Sequence, residues 1–499
     1  MTTTTALNPL RRLPRPSIPA GSVLRVEMLA GLVVALALIP EAISFSIIAG
    51  VDPKVGLYAS FTMAVTIAFM GGRPAMISAA TGAMALVVVP LVKEHGVEYL
   101  FAATLLAGAF QIILGVLRVP RLMRFVPHSV MTGFVNALAI LIFLAQVPYL
   151  RKGGAVGAAL VVIGLALLFI VPRLTKAVPA PLIAIVVVTI AVVAAGLNVP
   201  NVGDEGTLPS TLPILGIPSV PFSLATLSII LPFSVALAAV GLLESLMTAK
   251  LVDDITETRS DKDREARGQG IANIVTGMFG GMAGCAMIGQ TMINVRTSGA
   301  RTRISTFCAG AFLLVLVVGL GSLVAIIPMA ALVAVMILVS VSTFDWHSIQ
   351  PQTLKRMPAG ETLVMLVTVA ATVATGNLAI GVGLGVLTTM AIFARRVAHL
   401  VDVDRLVDPD ESTAIYSVSG ELFFASDQEF IDAFDYAGDP PNVIIDLSRA
   451  HLWDTSAVAA LDAIETKYAR HDVQVQITGL NDHSERLHNE HSGQLIAQH

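Results

Sequence analysis

The sequence predicts an α-helical polytopic membrane protein of fourteen transmembrane segments in two similar halves, each with one short third member, followed by a small α/β domain. Three observations carry this prediction. Of 499 residues, 55% are hydrophobic and only 13% charged, and the mean hydropathy of +0.79 lies far outside the range of soluble domains. Two apolar stretches, Gly71 to Pro90 and Gly280 to Arg303, are broken by glycine and polar residues where a spanning helix would be continuous. After Arg395-Arg396 the composition turns charged and alternating.

The stretch Gly280 to Arg303, GGMAGCAMIGQTMINVRTSGARTR, is too interrupted to cross a bilayer as one helix, which needs roughly 20 apolar residues in a row. Irregular backbone at membrane depth persists only where protein covers it or a water-filled cavity meets it. The reading that reconciles these facts is a half-helix beginning near Gly289, its free N–H groups facing a cavity at the membrane midplane. Such an end carries roughly half a positive charge and attracts anions. The earlier stretch repeats the pattern: a glycine pair precedes Ala75-Met76-Ile77-Ser78, as another precedes Ala286-Met287-Ile288-Gly289. Upstream, Val34-Ala35-Leu36-Ala37 before Glu41 matches Val235-Ala236-Leu237-Ala238 before Glu244 at a similar offset. Interrupted segments in corresponding positions of a duplicated chain point to a transporter binding site.

Hydropathy, punctuated by Gly, Pro and charge, places the first seven helices near 24–49, 55–70, 77–92, 99–117, 121–146, 154–171 and 180–197. A Pro-rich acidic connector, 198–222, leads to the second seven near 223–251, 266–284, 289–299, 303–327, 329–343, 360–375 and 377–398. With the N-terminus inside, most of the 31 Lys and Arg fall in cytoplasmic segments, whereas the outer connections hold only Lys54, Lys93, Arg151 and Lys152. That asymmetry is the positive-inside rule for a chain with both termini inside. The arm 1–23, with Arg11, Arg12 and Arg15, lacks the apolar core and cleavage site of a signal peptide. From about 410 to 499 the strands 414–418, 442–447 and 473–477, with a helix over 456–468, describe a small cytoplasmic α/β domain. The polar tail from Asn481, with His483, His488 and His491, reads as a frayed end.

Charge and cysteine exclude other classes. The net charge of −4 and the confinement of basic residues to loops leave no nucleic-acid face. Cys285 and Cys308 lie in apolar surroundings, offer neither disulfide framework nor metal site, and read as core residues. No nucleotide loop, nucleophile triad or metal-ligand spacing marks an enzyme, and no cofactor is called for.

Several residues then stand out as carriers of chemistry. Glu41 follows Pro40 in an otherwise apolar helix, and an ionisable group there marks an ion or substrate pathway unless it serves a structural hydrogen bond. Phe45, one turn on, shares its face. Glu244 is the candidate for ion coupling, since a proton on it would ease the approach of an anion, and such coupling is reciprocal. Its structural alternative is a brace, and sodium is the rival to the proton. At the half-helix starts, Ser78, Thr81, Gly289, Gln290 and Thr291 offer small residues and neutral donors for substrate binding. Arg118, Arg121, Arg124 and His128 read as a topology and lipid-headgroup anchor, and the mixed charges from Asp253 to Arg267 as a solvated loop.

Three motifs in one order resemble a known family. IPEAISFSIIAGVDPKVGLYAS, from Ile39 to Ser60, resembles the signature of the sulfate permease (SulP) anion transporters, and GCAMIGQTMINVRTSGARTR resembles the second-half motif of its bacterial members. Asp446-Leu447-Ser448 with Asp454-Thr455-Ser456 is similar to the STAS domain of sulfate transporters and anti-sigma factor antagonists. The resemblance implies a 7+7 inverted repeat, with helices 1–4 and 8–11 as a core and the rest as a gate, and the third and tenth helices as half-helices facing one another. It implies a homodimer in the inner membrane of a bacterium, among lipids, that moves a small anion (sulfate, bicarbonate or a C4-dicarboxylate) by alternating access. Many members carry Gln where this chain has Glu41, and some carry Arg near the tenth-helix start, so here the field at the site comes from dipoles. At the place where anti-sigma factor antagonists are phosphorylated stand Thr455 and Ser456; docking or assembly is the role expected of this domain, with phosphorylation of Ser456 the lesser alternative. An uncoupled channel, an exchanger and an anion sensor are the rival functions on this scaffold.

Overall fold

The computed structural model describes residues 21–121, 126–174, 179–398, 401–410 and 412–493; most of the N-terminal arm, Arg124 and the last residues of the tail lie outside these. The chain divides into two units, 1–385 and 386–499, the division falling inside one helix.

The first unit is helical. In order come α1 (Gly21–Ala49), α2 (Pro53–Met70), a short strand β1 (Ser78–Ala80), α3 (Gly82–His95), α4 (Val97–Val116), α5 (His128–Lys152), α6 (Gly154–Leu174) and α7 (Ala180–Ala194). The second half holds α8 (Leu224–Thr256), α9 (Lys262–Met278), β2 (Gly284–Ala286), α10 (Ile288–Met292) running into a π turn (Ile293–Thr297), α11 (Arg303–Gly319), α12 (Gly321–Ala325), α13 (Met329–Thr343), α14 (Pro351–Arg356), α15 (Ala359–Thr375) and α16 (Leu378–Ala398). Among the described residues, seven helices are long and apolar enough to cross a membrane: those within α1, α2, α4, α5, α6, α8 and α16; α7, α11, α13 and α15 are shorter apolar helices.

Local chemistry explains the boundaries. Pro53 opens α2 at the position where its missing N–H costs nothing. Thr81 caps α3 by accepting from Met84 N, Ser223 caps α8 through Thr226 N, and Asp261 caps α9 through Arg264 N. Several expected boundaries move. The eleventh helix, expected over 303–327, ends at Gly319 and is followed by the short α12, and the ninth starts at Lys262 rather than 266, where Asp261 caps it. The third helix was expected from 77, but 78–80 is strand and the helix starts at Gly82. The ninth was expected to reach 284 but ends at Met278, because Gly280 takes a left-handed conformation (φ +68°) and Gly281 passes so close to Ala59 that a Cβ would sit 2.9 Å from its backbone. The fifth starts at His128, after Pro127, rather than at 121.

The helices meet through small residues. A Cβ on Gly108 of α4 would lie 2.6 Å from Gly270 O, and one on Gly270 of α9 would lie 2.5 Å from Gly108 O, so the two backbones touch. Gly270→Ala should therefore cost about 1–3 kcal/mol through forced separation, read as a lower unfolding temperature of the detergent-solubilised protein. The expected solvated loop after α8 is in fact tied down. Arg73 Nη1 pairs with Asp253 at 3.1 Å, Lys262 Nζ with Asp253 at 2.7 Å and Arg121 Nη2 with Asp263 at 2.9 Å. Buried Glu265 takes the N–H groups of Gly72 and Arg73 at 2.7 and 3.0 Å, and buried Glu27 of α1 takes those of Arg301, Thr302 and Ser305. Both acids satisfy turns that would otherwise bury unpaired donors.

The second unit holds a four-stranded sheet, β3 (Asp402–Val407), β4 (Thr413–Leu422), β5 (Asn442–Leu452) and β6 (Gln474–Thr478), in that spatial order, with α17 (Asp427–Asp432), α18 (Thr455–Ala469) and α19 (Asp482–His491). β3 and β4 are antiparallel; β4, β5 and β6 run parallel. Alternate residues of β4 and β5, among them Tyr416, Val418, Val443 and Ile445, bury against Val458, Leu461, Ile464 and Tyr468 of α18. The sheet begins at Asp402, before the expected start near 410. The frayed end expected from Asn481 is a helix as far as His491, because Asn481 accepts from the N–H groups of His483 and Ser484 and the side chain of Asp462 takes Ser492 and Gly493.

Candidate functional site

The two broken stretches come together. β1 and β2 pair antiparallel, Ser78 opposite Ala286, Ala79 opposite Cys285 and Ala80 opposite Gly284, and Met287 N donates to Ile77 O at 2.8 Å. One two-stranded ribbon therefore carries both α3 and α10. Side chains from neighbouring helices brace it where a short ribbon leaves backbone groups unpaired. Asn273 of α9 bonds both the N–H and the carbonyl of Gly284 at 2.9 and 3.1 Å, and Ser245 Oγ of α8 accepts from Ala286 N at 3.0 Å. A Cβ on Gly284 would lie 2.4 Å from Ala79 O, so only glycine fits there.

Each sequence-predicted residue has a definite place. Glu41, partly exposed, accepts from Gln290 Nε2 at 2.8 Å, which ties α1 to α10. Phe45, buried on the same face of α1, lays its ring edge against Gly82, the first residue of α3, where a Cβ would approach Cε1 to 2.9 Å. One face of α1 thus touches the starts of both short helices. Gly289 is exposed, and a Cβ there would meet nothing within 4 Å; open space adjoins the start of α10. Ser78 and Thr291 turn to the scaffold: the Ser78 hydroxyl takes Gln269 Nε2 at 2.7 Å, and Thr291 Oγ1 accepts from Ile77 N at 3.0 Å.

Thr81 and Glu244 form a second focus. Cys285 Sγ donates to Glu244 Oε2 at 2.9 Å, Thr81 Oγ1 reaches the same oxygen at 3.5 Å, and Thr81 Oγ1 and Cys285 Sγ lie 3.2 Å apart. The carboxylate of α8 is thereby held by the cap of α3 and by the middle of β2. Sequence reasoning missed Cys285, which its apolar neighbours made look like filler; its position four residues before Gly289, in a segment already marked as irregular, was the available signal. A cavity of about 820 Å³ lies elsewhere, at the α1–α2 and α3–α4 turns beside the connector, lined by Asp52, Lys54, Tyr58, Glu98 and Thr207 among others. Its polar groups are largely paired: Thr207 Oγ1 with Asp52, Tyr58 OH with Thr211 O, Glu98 with Ser219 N. In the second unit, Ser456 lies half-buried in the first turn of α18 behind exposed Thr455, and Asp454 caps that helix through Ala457 N.

Residues 24–158 and 154–368 match the sulfate permease family, and residues 406–492 match the STAS domain. The chain belongs to the sulfate permease family. It is accordingly a multi-pass membrane transporter of that family, with a C-terminal STAS domain, and not an enzyme. It is 53% identical over 464 residues, 93% of this chain and 96% of the other, to the Bacillus subtilis (strain 168) protein named "Putative sulfate transporter YbaR". The transmembrane domain of a cyanobacterium bicarbonate transporter, BicA, superposes with a TM-score of 0.64 at 26% identity, over 72% of this chain and 98% of that one. Murine Slc26a9, an anion transporter captured in the inward-facing state, shares the fold, with a TM-score of 0.81 at 16% identity over 95% of this chain and 88% of its own.

Proposed function

We propose that this sulfate permease family member is a secondary active transporter that carries a small anion (sulfate, bicarbonate or a C4-dicarboxylate) across the bacterial inner membrane together with a proton. In this reading Gly289 and Gln290 at the start of α10 and Thr81 at the cap of α3, with Glu41 and Phe45, form the anion site at the midplane, Ser78 and Thr291 hold the ribbon behind it rather than touching the anion, and Glu244 carries the coupling proton. The observation that carries the reading is the ribbon β1–β2. It supports a single site built from both halves, with one carboxylate bonded to Gln290 beside the open space at Gly289 and the other bonded to the α3 cap. The named activities of the relatives support sulfate and bicarbonate as first candidates. The fourteen segments form a 7+7 inverted repeat in which the unit holding the ribbon moves past the remaining helices, in a homodimer with N-terminus and STAS domain cytoplasmic.

Uptake of radiolabelled sulfate, bicarbonate and C4-dicarboxylates into proteoliposomes of the full chain, with and without an inward proton gradient, tests this. Saturable accumulation of one anion only under the gradient is the expected result. Saturable flux indifferent to the proton gradient would replace it by exchange or sodium coupling, unsaturable flux by a channel, and binding without flux by a sensor acting through the STAS domain.

A further inference from the structure

Gln290 is 1% exposed. Its amide nitrogen is spent on Glu41 Oε1 at 2.8 Å, and its amide oxygen is buried with no partner. A buried acceptor left unpaired costs free energy, and its persistence in a folded protein asks for an explanation. Next to it in sequence, Gly289 borders open space, and its hydrogen-bond partner Glu41 is partly exposed. The corner where α1 meets α10 thus holds two acceptors, a buried amide oxygen and a partly exposed carboxylate. No Lys or Arg occurs in residues 39–48, 76–88 or 284–292, so these three segments bring no fixed cation to the carboxylate.

These facts bear on which anion fits. Sulfate carries two negative charges and only acceptor oxygens, so beside Glu41 it meets repulsion and leaves the Gln290 oxygen unpaired. An anion that keeps one hydrogen meets the corner differently. Its O–H donates to the Gln290 oxygen or to the carboxylate, while its charge is only one. Resting on the reading of this region as the anion site, we propose that Gln290 is a specificity-determining residue whose side-chain carbonyl reads a hydrogen on the substrate. The site then prefers monoanions that retain a proton, hydrogen carbonate or a half-protonated dicarboxylate, over fully deprotonated oxyanions. A site with a polar group awaiting a partner rejects an analogue that lacks it far more strongly than an apolar pocket rejects a changed shape.

Nitrate separates hydrogen-bond reading from charge and shape, since it is a planar monoanion like hydrogen carbonate but bears no hydrogen. The experiment is saturable uptake of labelled hydrogen carbonate into proteoliposomes of the full chain in closed vessels at mildly alkaline pH, with nitrate and sulfate as competitors, for wild type and Gln290→Met. In wild type, nitrate should compete roughly 10- to 100-fold less well than unlabelled hydrogen carbonate, the span expected for meeting one buried acceptor, and sulfate less well still. In Gln290→Met the preference over nitrate should shrink to within about twofold, because the oxygen that reads the hydrogen is gone. Nitrate competing as well as hydrogen carbonate in wild type overturns the proposal, as does an unchanged ratio in the variant; in both cases anion transport itself stands. Absence of saturable uptake of any anion would instead remove the functional reading, and the proposal with it. The wild-type ratio decides the matter even where the variant does not fold.

Discussion

Glu244→Gln should abolish accumulation driven by a proton gradient while leaving anion binding in place or tighter. A carboxylate in α8 and a bound anion have the same sign, and in a water-poor site like charges repel strongly. A proton on Glu244 removes that repulsion, so proton and anion favour one another, and the favour is reciprocal. Glutamine is uncharged at every pH and can neither take up nor release the proton. The accumulation ratio under a gradient should fall about 10- to 100-fold, the usual span of such coupling, and counterflow of preloaded anion should persist. Measuring both in one preparation separates a lost proton site from a lost protein. A variant that still concentrates anion in proportion to the imposed gradient would show that the proton is carried elsewhere.

Asp439→Ala should loosen the STAS unit by about 1–3 kcal/mol, the cost of leaving buried hydroxyls without their acceptor. The Asp439 side chain is closed to solvent and takes two bonds from Arg405 at 2.8 and 2.7 Å, one from Tyr416 OH at 2.6 Å and one from Tyr468 OH at 2.5 Å. Removing it strands two phenols at the junction of β4 and α18, while the exposed Arg405 of β3 turns to water. Hydrogen exchange in residues 413–422 and 455–469 of the full chain should quicken accordingly, with α4 and α9 unchanged. Burial first, and then the bond to Asp439, pushes the Tyr416 and Tyr468 hydroxyls above the ordinary phenol range, while the bond to Asp439 raises the Arg405 guanidinium. Phenols with raised values stabilise the folded state fully below about pH 10, the unfolded phenol value, and that contribution is lost as pH rises through the folded values.

Much of this was legible because bilayer physics leaves a large imprint. Long apolar runs, the basic residues between them and the glycine breaks gave most helices and both irregular stretches. What escaped was set by tertiary contact. Ser78-Ala79-Ala80 and Gly284-Cys285-Ala286 carry neither alternation nor β-branched residues, so nothing local announces a strand; they pair because two broken segments meet where backbone groups need partners. The end of α9 was misjudged for a related reason, since the approach of Ala59 to Gly281 is visible only in space. Within the site, Glu41 and Glu244 were conspicuous as acids in apolar helices. The bond from Cys285 to Glu244 was silent, because a cysteine among apolar residues has the same signature whether or not its thiol meets a carboxylate.

The antiparallel register of the ribbon also acts as a ruler. Because the strands run in opposite directions, α3 departs from one end and α10 from the other, so the distance along the ribbon between the two helix caps, Thr81 and Met287, is set by its length, roughly 14 Å for four rises of about 3.4 Å. A slip by one residue would alter that distance and turn every ribbon side chain to the opposite face. Under the proposed function, the gauge of the substrate is therefore written in the count of residues between Ile77 and Thr81 and between Ala283 and Met287. Natural or engineered changes in anion size should appear there as single-residue insertions or deletions, a kind of change that substitutions at the site cannot reproduce.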